Sequence, residues 1–257
     1  MDYQVKMPFV ITMCSGKGGV GKSVLAANLA YALAKQSLTV LVWDANMYFP
    51  NQHLLFGVEP PIRLTDAYSG KTSVLSCIYP INENLCILAD SPPSSEKEKL
   101  KASEILDTYI EILKETNFDV IIIDTPAVYS EEVLQCCNIS DLVCIVINDE
   151  PTSLLDAYGF IKILLKFIEQ TKLNLIVNNV IDSDDADEIS GKLNLATEKF
   201  MKMELNCLGF VPYDRIVRQS ILRQELFVSV EPEQESSIAI TKIANNIKSK
   251  IQGGVLR

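Results

Sequence analysis

The stretch Ser15-Gly16-Lys17-Gly18-Gly19-Val20-Gly21-Lys22-Ser23 constrains this chain more than any other. It fits the phosphate-loop pattern G-x-x-x-x-G-K-[ST], with Gly16, Gly21, Lys22 and Ser23 in the fixed places. Glycines let the backbone curl so that successive N–H groups point at one anion, and a following helix adds the positive end of its dipole. The flanks supply the context that the pattern needs. Phe9-Val10-Ile11-Thr12-Met13-Cys14 reads as a buried strand, and Val24 to Ala34, rich in alanine and leucine, reads as a helix. In such a unit Lys22 reaches the β- and γ-phosphates and the Ser23 hydroxyl takes one Mg²⁺ coordination site. The alternative is a glycine-rich turn between a strand and a helix, which this context disfavours.

Further strands follow the same rule. Leu38–Trp43 ends in Asp44, Val120–Ile123 ends in Asp124, and Leu142–Ile147, Leu173–Val180 and Cys207–Val211 are similarly apolar. Near-continuous apolar runs mark strands covered on both faces, so an α/β fold is expected: a mostly parallel twisted sheet with helices on both faces. Residues 1–257 are read as a single domain, since 257 residues with 48% hydrophobic content can bury one large core. Helices are expected at about Ser95–Thr116, with Leu100, Ile105, Leu106, Tyr109, Ile110 and Leu113 on one buried face, at 152–170, and at about Ser236–Ile251. Leu64–Tyr68 reads as a short helix and Leu85–Ala89 as a strand. Ligands of such sheets bind beyond the carboxyl ends of the strands, where the glycine loop, Asp44, Asp124 and Asn178 all fall. Asp124 after four aliphatic residues has the form of a Walker B carboxylate that holds a Mg²⁺-bound water; an ordinary helix-capping Asp is its bland counterpart.

Other features narrow the function. The start Met1–Lys6 lacks the layout of a signal peptide and no apolar run is long enough to span a bilayer, so a cytoplasmic setting is expected. Seven cysteines without a C-x-x-C spacing read as free thiols, with Cys14, Cys144 and Cys207 inside apolar runs. The adjacent Cys136 and Cys137 either pack or hold a metal or cluster across a dimer. A net charge of −10 speaks against nonspecific attraction to nucleic acid. The acidic run Asp182–Glu188 lacks the glycine and terminal glutamate of a calcium loop and reads as a helix start.

Three segments together, Lys17–Ser23, Asp44-Ala45-Asn46 and Ile123-Asp124-Thr125-Pro126, resemble the MinD/ParA family of P-loop ATPases, the deviant Walker A group. Glu150–Tyr158, Ile176-Val177-Asn178 and Leu208–Asp214 extend the resemblance over about residues 8 to 230, and Pro151–Tyr158 leans towards the MinD and FlhG/FleN branch. The resemblance implies a P-loop NTPase fold, ATP and Mg²⁺ as cofactors, and an ATP-dependent homodimer used for spatial positioning of a division site or flagellum. It implies a nucleotide held by Gly16, Lys17, Gly18, Gly19, Val20, Gly21, Lys22, Ser23 and Val24, with Asn178, Pro212, Tyr213 and Asp214 at the adenine. Ser23 would bind Mg²⁺, with Asp44 and Asp124 acting through water. Lys17 would cross to the partner protomer's ATP, and Lys17, Lys22, Asp44, Asn46 and Asp124 form the expected catalytic set.

Asn46 departs from the pattern, which has a second Asp there. An amide can orient water but cannot take a proton, so slow hydrolysis of ATP to ADP and phosphate is expected. The resemblance also implies a protein partner or activator and peripheral contact with the inner face of the cell membrane through a basic amphipathic C-terminal helix. The stripe Ile240, Ile243, Ala244, Ile247 and Ile251 serves a core-packing helix equally well. The competing functions are a ParA-like DNA-segregation ATPase, a metal or cluster carrier, and, less well matched, a metabolic kinase.

Overall fold

The computed structural model describes residues 7–92 and 100–253. The leader reading at Met1–Lys6 and the first residues of the helix expected from Ser95 lie outside the described residues. The chain begins β1 (Phe9–Cys14), α1 (Lys22–Ala34), β2 (Val40–Asp44), then passes two short helices, α2 (Gln52–Leu55) and α3 (Leu64–Tyr68). It continues β3 (Ile78–Asn82), β4 (Leu85–Leu88), α4 (Ala102–Glu115), β5 (Val120–Asp124), α5 (Glu131–Ile139), β6 (Leu142–Ile147) and α6 (Pro151–Leu164). Last come β7 (Leu173–Val180), α7 (Ser183–Met201), β8 (Asn206–Pro212), α8 (Arg215–Arg223), α9 (Phe227–Val230) and α10 (Glu235–Gly253).

The strands form one eight-stranded sheet in the order β3-β4-β2-β5-β1-β6-β7-β8. Every neighbouring pair is parallel except β3 with β4. The expected mostly parallel sheet is therefore present, with helices on both faces. One face is sealed by α1, α9 and α10 around Leu29, Leu33, Phe227 and Ile247. The other is sealed by α6 and α7 around Phe160, Ile161 and Leu193, and by α4 around Ile105 and Ile112. β5, β1 and β6 at the centre consist almost wholly of fully buried aliphatic residues, as strands covered on both faces must.

Several expectations need correction. The helix expected from Ser95 starts, among the described residues, at Ala102, and it buries Ile105, Thr108 and Ile112 while Leu106 and Ile110 are exposed. The face is rotated because burying Ile112 and Thr108 at i, i+4 spacing seals β5, and the Leu106–Ile110 row then points away. The helix expected to reach residue 170 stops at Leu164. Cys207 is exposed, near the free edge of the sheet, whereas Cys14 and Cys144 are buried on central strands. The strand β3 and the short helix α9 lie in stretches without a periodic apolar signal, whereas α8 carries Ile216, Val217 and Ile221 on one face and is not among the expected helices. The acidic run does start a helix: Asp182 caps α7 by accepting from the Asp185 N–H at 3.0 Å.

The C-terminal stripe belongs to the core. Ile240, Ile243, Ala244 and Ile247 are at most 1% exposed and pack with α1 and β8. A membrane surface cannot reach that face of α10. We expect Ile247→Ala to lose about 2–5 kcal/mol, the usual cost of a buried aliphatic truncation, read as a lower urea midpoint at unchanged slope.

Candidate nucleotide site

The loop between β1 and α1 crosses the C-terminal edge of the sheet next to β5 and β6. Its geometry needs glycine at Gly16 and Gly21, and at Gly19, whose φ is +82. At Gly16 an added Cβ would lie 2.4 Å from the Asp156 carbonyl of α6, so the loop can run against that helix only without a side chain. Gly21, at φ +90, caps α1, and a Cβ there would lie 2.2 Å from the Asn178 amide nitrogen. Around Gly18 and Gly19 the space is open. The result is a cleft of about 770 Å³ floored by Ser15–Val24 and walled by Asn46, Tyr48, Phe49, Pro126, Val128 and Ile221.

Lys22 is buried, with Nζ 3.6 Å from Asp124 Oδ1. Asp124 is wholly buried; its Oδ2 accepts from Gln52 Nε2 at 2.8 Å, and its Oδ1 has no hydrogen-bond partner. Asp44 lies beside it, because β2 and β5 pair in register Asp44 with Asp124. Its Oδ1 accepts from the Asn46 N–H, and its Oδ2 from the N–H groups of Asn51 and Gln52 at 2.8 and 2.9 Å. Burial, reinforced by Asp124, holds the Asp44 carboxyl well above the usual carboxylate range. The four backbone and side-chain contacts tie residues 44–52 into a closed loop at the sheet edge.

Asn46 lines the cleft, and its Oδ1 accepts from the Phe49 N–H at 3.4 Å. Lys17 does not point into the cleft's depth. Its Nζ pairs with Glu150 and donates to Thr152 Oγ1 at 2.8 Å, both at the start of α6. That ammonium, with the Asn148 amide, holds the Glu150 carboxyl below its ordinary range.

Four residues are expected at the adenine. Asn178 donates from Nδ2 to the Val20 carbonyl at 2.8 Å, so it braces the glycine loop. Asp214 caps α8 through the Ile216 N–H and accepts from Ser236, while Tyr213 is exposed. Asn178, Pro212, Tyr213 and Asp214 do not line the cleft, whereas Ile221 of α8 does. Cys136 and Cys137 are at most 1% exposed and enter two different core clusters. That burial fits the packing alternative for the pair rather than a dimer-bridging metal site.

The sequence model of ParA, described as the NUBPL iron-transfer P-loop NTPase, matches residues 6–248. The chain belongs to the ParA/MinD family of P-loop NTPases. Within this family it is 28% identical over 243 residues to the antiactivator FleN of Pseudomonas aeruginosa, covering 93% of this chain and 86% of that one. To the flagellum site-determining protein YlxH of Helicobacter pylori it is 31% identical over 253 residues, covering 96% and 84%. In fold it is similar to the septum site-determining protein MinD of Pyrococcus horikoshii, solved with Mg-ADP, with a TM-score of 0.79 at 24% identity over 97% of this chain and 98% of that chain.

The ParA/MinD membership implies Mg²⁺ and a nucleotide, and the residues present fit both. The open glycine turn leaves room for a ligand, Lys22 supplies a buried cation, and Asp124 Oδ1, without a hydrogen bond, is an acceptor whose carboxylate Gln52 links to the Ser23 carbonyl. Bound there, Mg²⁺ would offset the charge of the phosphates. Ser23 and Asp124 would be the residues to hold it, while Asp44 is engaged mainly by backbone N–H groups.

A third buried carboxyl, Asp90 after β4, shares this edge and accepts from the N–H groups of Thr65 and Ser91. Burial pushes it up to about 6, against which the two N–H groups and Arg63 pull only partly back. The folded state thus binds its proton more tightly than the unfolded chain. The stabilisation is complete below about pH 4 and is lost as pH rises through about 6. Asp90→Asn keeps the acceptor oxygen. It should flatten stability between those pH values and raise it at pH 7 by about 2 kcal/mol, read from urea melts across pH.

Proposed function

We propose that the protein is an ATP- and Mg²⁺-dependent dimerising switch of the MinD/FlhG type, acting in the spatial placement of a cellular machine, with slow hydrolysis. The observation that carries the reading is the cleft mouth. Lys17 lines the cleft and holds an exposed, exchangeable contact with Glu150. Of the cleft's apolar lining, Phe49 is 79% exposed and Tyr48 and Val128 about half, and Leu155, Tyr129 and Leu222, which are 70%, 52% and 76% exposed, flank Asp156 at the glycine loop, Val128 and Ile221 in the chain. A large apolar rim of this kind around a nucleotide cleft suits burial against a second copy. ATP-driven burial of that rim would make nucleotide and dimer mutually dependent, with Lys17 exchanging Glu150 for the partner's phosphates. The names of FleN and YlxH, an antiactivator and a flagellum site-determining protein, favour flagellar placement and a protein partner or activator.

Localisation in the cytoplasm, with peripheral contact at the inner face of the membrane, is part of this reading. Such contact has to use surfaces other than the buried stripe of α10. No described helix is long and apolar enough to cross a membrane. A ParA-like role on DNA finds less support in a chain of net charge −10.

Sizing chromatography should give a dimer with Mg-ATP and a monomer with Mg-ADP, and Lys17→Ala should remain monomeric with both. A monomer in Mg-ATP for the unaltered protein would overturn the switch reading.

Asn46 holds the Phe49 N–H in the cleft wall, and its amide cannot take a proton from an attacking water. In single-turnover assays Asn46→Asp should hydrolyse bound ATP at least about tenfold faster than the unaltered protein, in line with the usual contribution of a positioned base. Equal rates would mean that another group orients the water.

A further inference from the structure

Gln52 is wholly buried at the start of α2, and it is the point where the metal-side carboxylates and the glycine loop meet. Its main-chain N–H donates to Asp44 Oδ2 at 2.9 Å. Its side-chain Nε2 donates to Asp124 Oδ2 at 2.8 Å and to the Ser23 carbonyl at 3.1 Å. Both side-chain neighbours are acceptors, so the amide has one workable orientation; turned over, its oxygen would face two oxygens. In that orientation Oε1 is buried and has no hydrogen-bond partner. A second buried acceptor without a hydrogen bond, Asp124 Oδ1, belongs to the carboxylate that Gln52 holds and faces Lys22 Nζ only at 3.6 Å.

Two buried orphan acceptors in one small cluster are unusual, because a buried polar atom without a partner carries the full cost of its lost hydration. The neighbours of this cluster are Lys22 and Ser23, the residues placed for phosphate and Mg²⁺. Hydrated Mg²⁺ brings what two orphan acceptors lack, since it keeps several waters and each is a strong donor. We infer that Gln52 is a positioning residue of the magnesium site: Nε2 fixes Asp124, and Oε1 accepts from a water in the metal's coordination shell. The assignment rests on the reading of the cleft as a Mg²⁺–nucleotide site. It also gives residues 44–52 a direct tie to metal occupancy, because the same residue holds Asp44 through its backbone and Asp124 through its side chain.

Metal and nucleotide binding test this separately, with purified full-length protein, Mn²⁺ followed by its free-ion paramagnetic resonance signal, and a fluorescent ADP measured in EDTA and in Mn²⁺. Gln52→Met, similar in length but without donor or acceptor, should weaken Mn²⁺ binding to the ADP complex about 10- to 100-fold, the usual effect of losing an outer-shell partner. Its affinity for ADP in EDTA should stay within about twofold of the unaltered protein, since that binding does not use the metal. Gln52→Leu, which also lacks donor and acceptor, should show the same loss of Mn²⁺ binding with ADP affinity in EDTA kept. Equal Mn²⁺ affinity in Gln52→Met overturns the assignment, as does an equal loss of ADP affinity in EDTA, which would mark a purely structural residue. Should Gln52→Met fail to fold, Mn²⁺ affinity in Gln52→Leu equal to that of the unaltered protein overturns it alone. Unaltered protein that binds ADP but takes up no Mn²⁺ overturns the magnesium reading itself and this assignment with it.

Discussion

Two carboxylates buried side by side at the ends of neighbouring parallel strands are the constraint on which the rest of the site depends. The register of β2 on β5 sets Asp44 opposite Asp124, both at 0% exposure. Charges so placed repel one another in a medium that screens them poorly, and the fold answers differently for each. Asp44 is surrounded by backbone N–H groups from residues 46, 51 and 52, and its carboxyl is held above the ordinary range. Asp124 faces Lys22 through Oδ1 at 3.6 Å and accepts the Gln52 amide at Oδ2, and its Oδ1 makes no hydrogen bond. The difference divides the labour. Asp44 organises the loop that forms one wall of the cleft, and Asp124 is the acceptor left for a ligand.

This arrangement explains why the glycine loop has the form it has. Lys22 can approach Asp124 only if α1 starts immediately beyond the sheet edge. That start requires Gly21 at φ +90 with the Asn178 amide in the space of its missing side chain. Asn178 then donates to the Val20 carbonyl, so the loop is braced from β7 as well as from α6, where Gly16 lies against the Asp156 backbone. Strands β1, β5 and β7 and helices α1 and α6 therefore fix a segment of nine residues, and an anion entering the cleft meets a loop already in place.

The central strands and the phosphate loop were legible because each has a strong local cause: a continuous apolar run for strands covered on both faces, and fixed glycines for the turn. The C-terminal helix was legible as a helix and ambiguous as to what covers it, since a 3.6-residue stripe is the same whether protein or lipid lies against it. The packing of Ile240, Ile243 and Ile247 against α1 resolves that. The face of α4 was misjudged at Leu106 and Ile110 because apolar residues are tolerated on surfaces, so their spacing alone does not choose the buried row. Gln52 carried no signal at all. A glutamine after proline and asparagine reads as loop, and its role arises only when β2, β5 and α1 converge upon it. Asn178 was recognised as a site residue, but its contact with Val20 depends on a turn 158 positions away.

The electrostatics of the cleft also limit how a triphosphate can be held. The lysines among its lining residues are Lys17 and Lys22, while Asp44, Asp124 and Glu150 stand on or near the same edge. Lys22 is already shared with Asp124, and Lys17 with Glu150. Phosphates brought into this setting add anionic charge to an edge that is already acidic, so a divalent cation on the open side of Asp124 is the simplest neutralisation available to the fold. Lys17 differs from Lys22 in one respect. Its bonds to Glu150 and Thr152 are exposed, and exposed ion pairs are weak and readily exchanged. Lys22 is fixed by burial, whereas Lys17 can leave its carboxylate for a stronger anion at small cost. A buried lysine that binds and a surface lysine that can be recruited give one loop two separable tasks, holding its own ligand and responding to another molecule at the cleft mouth.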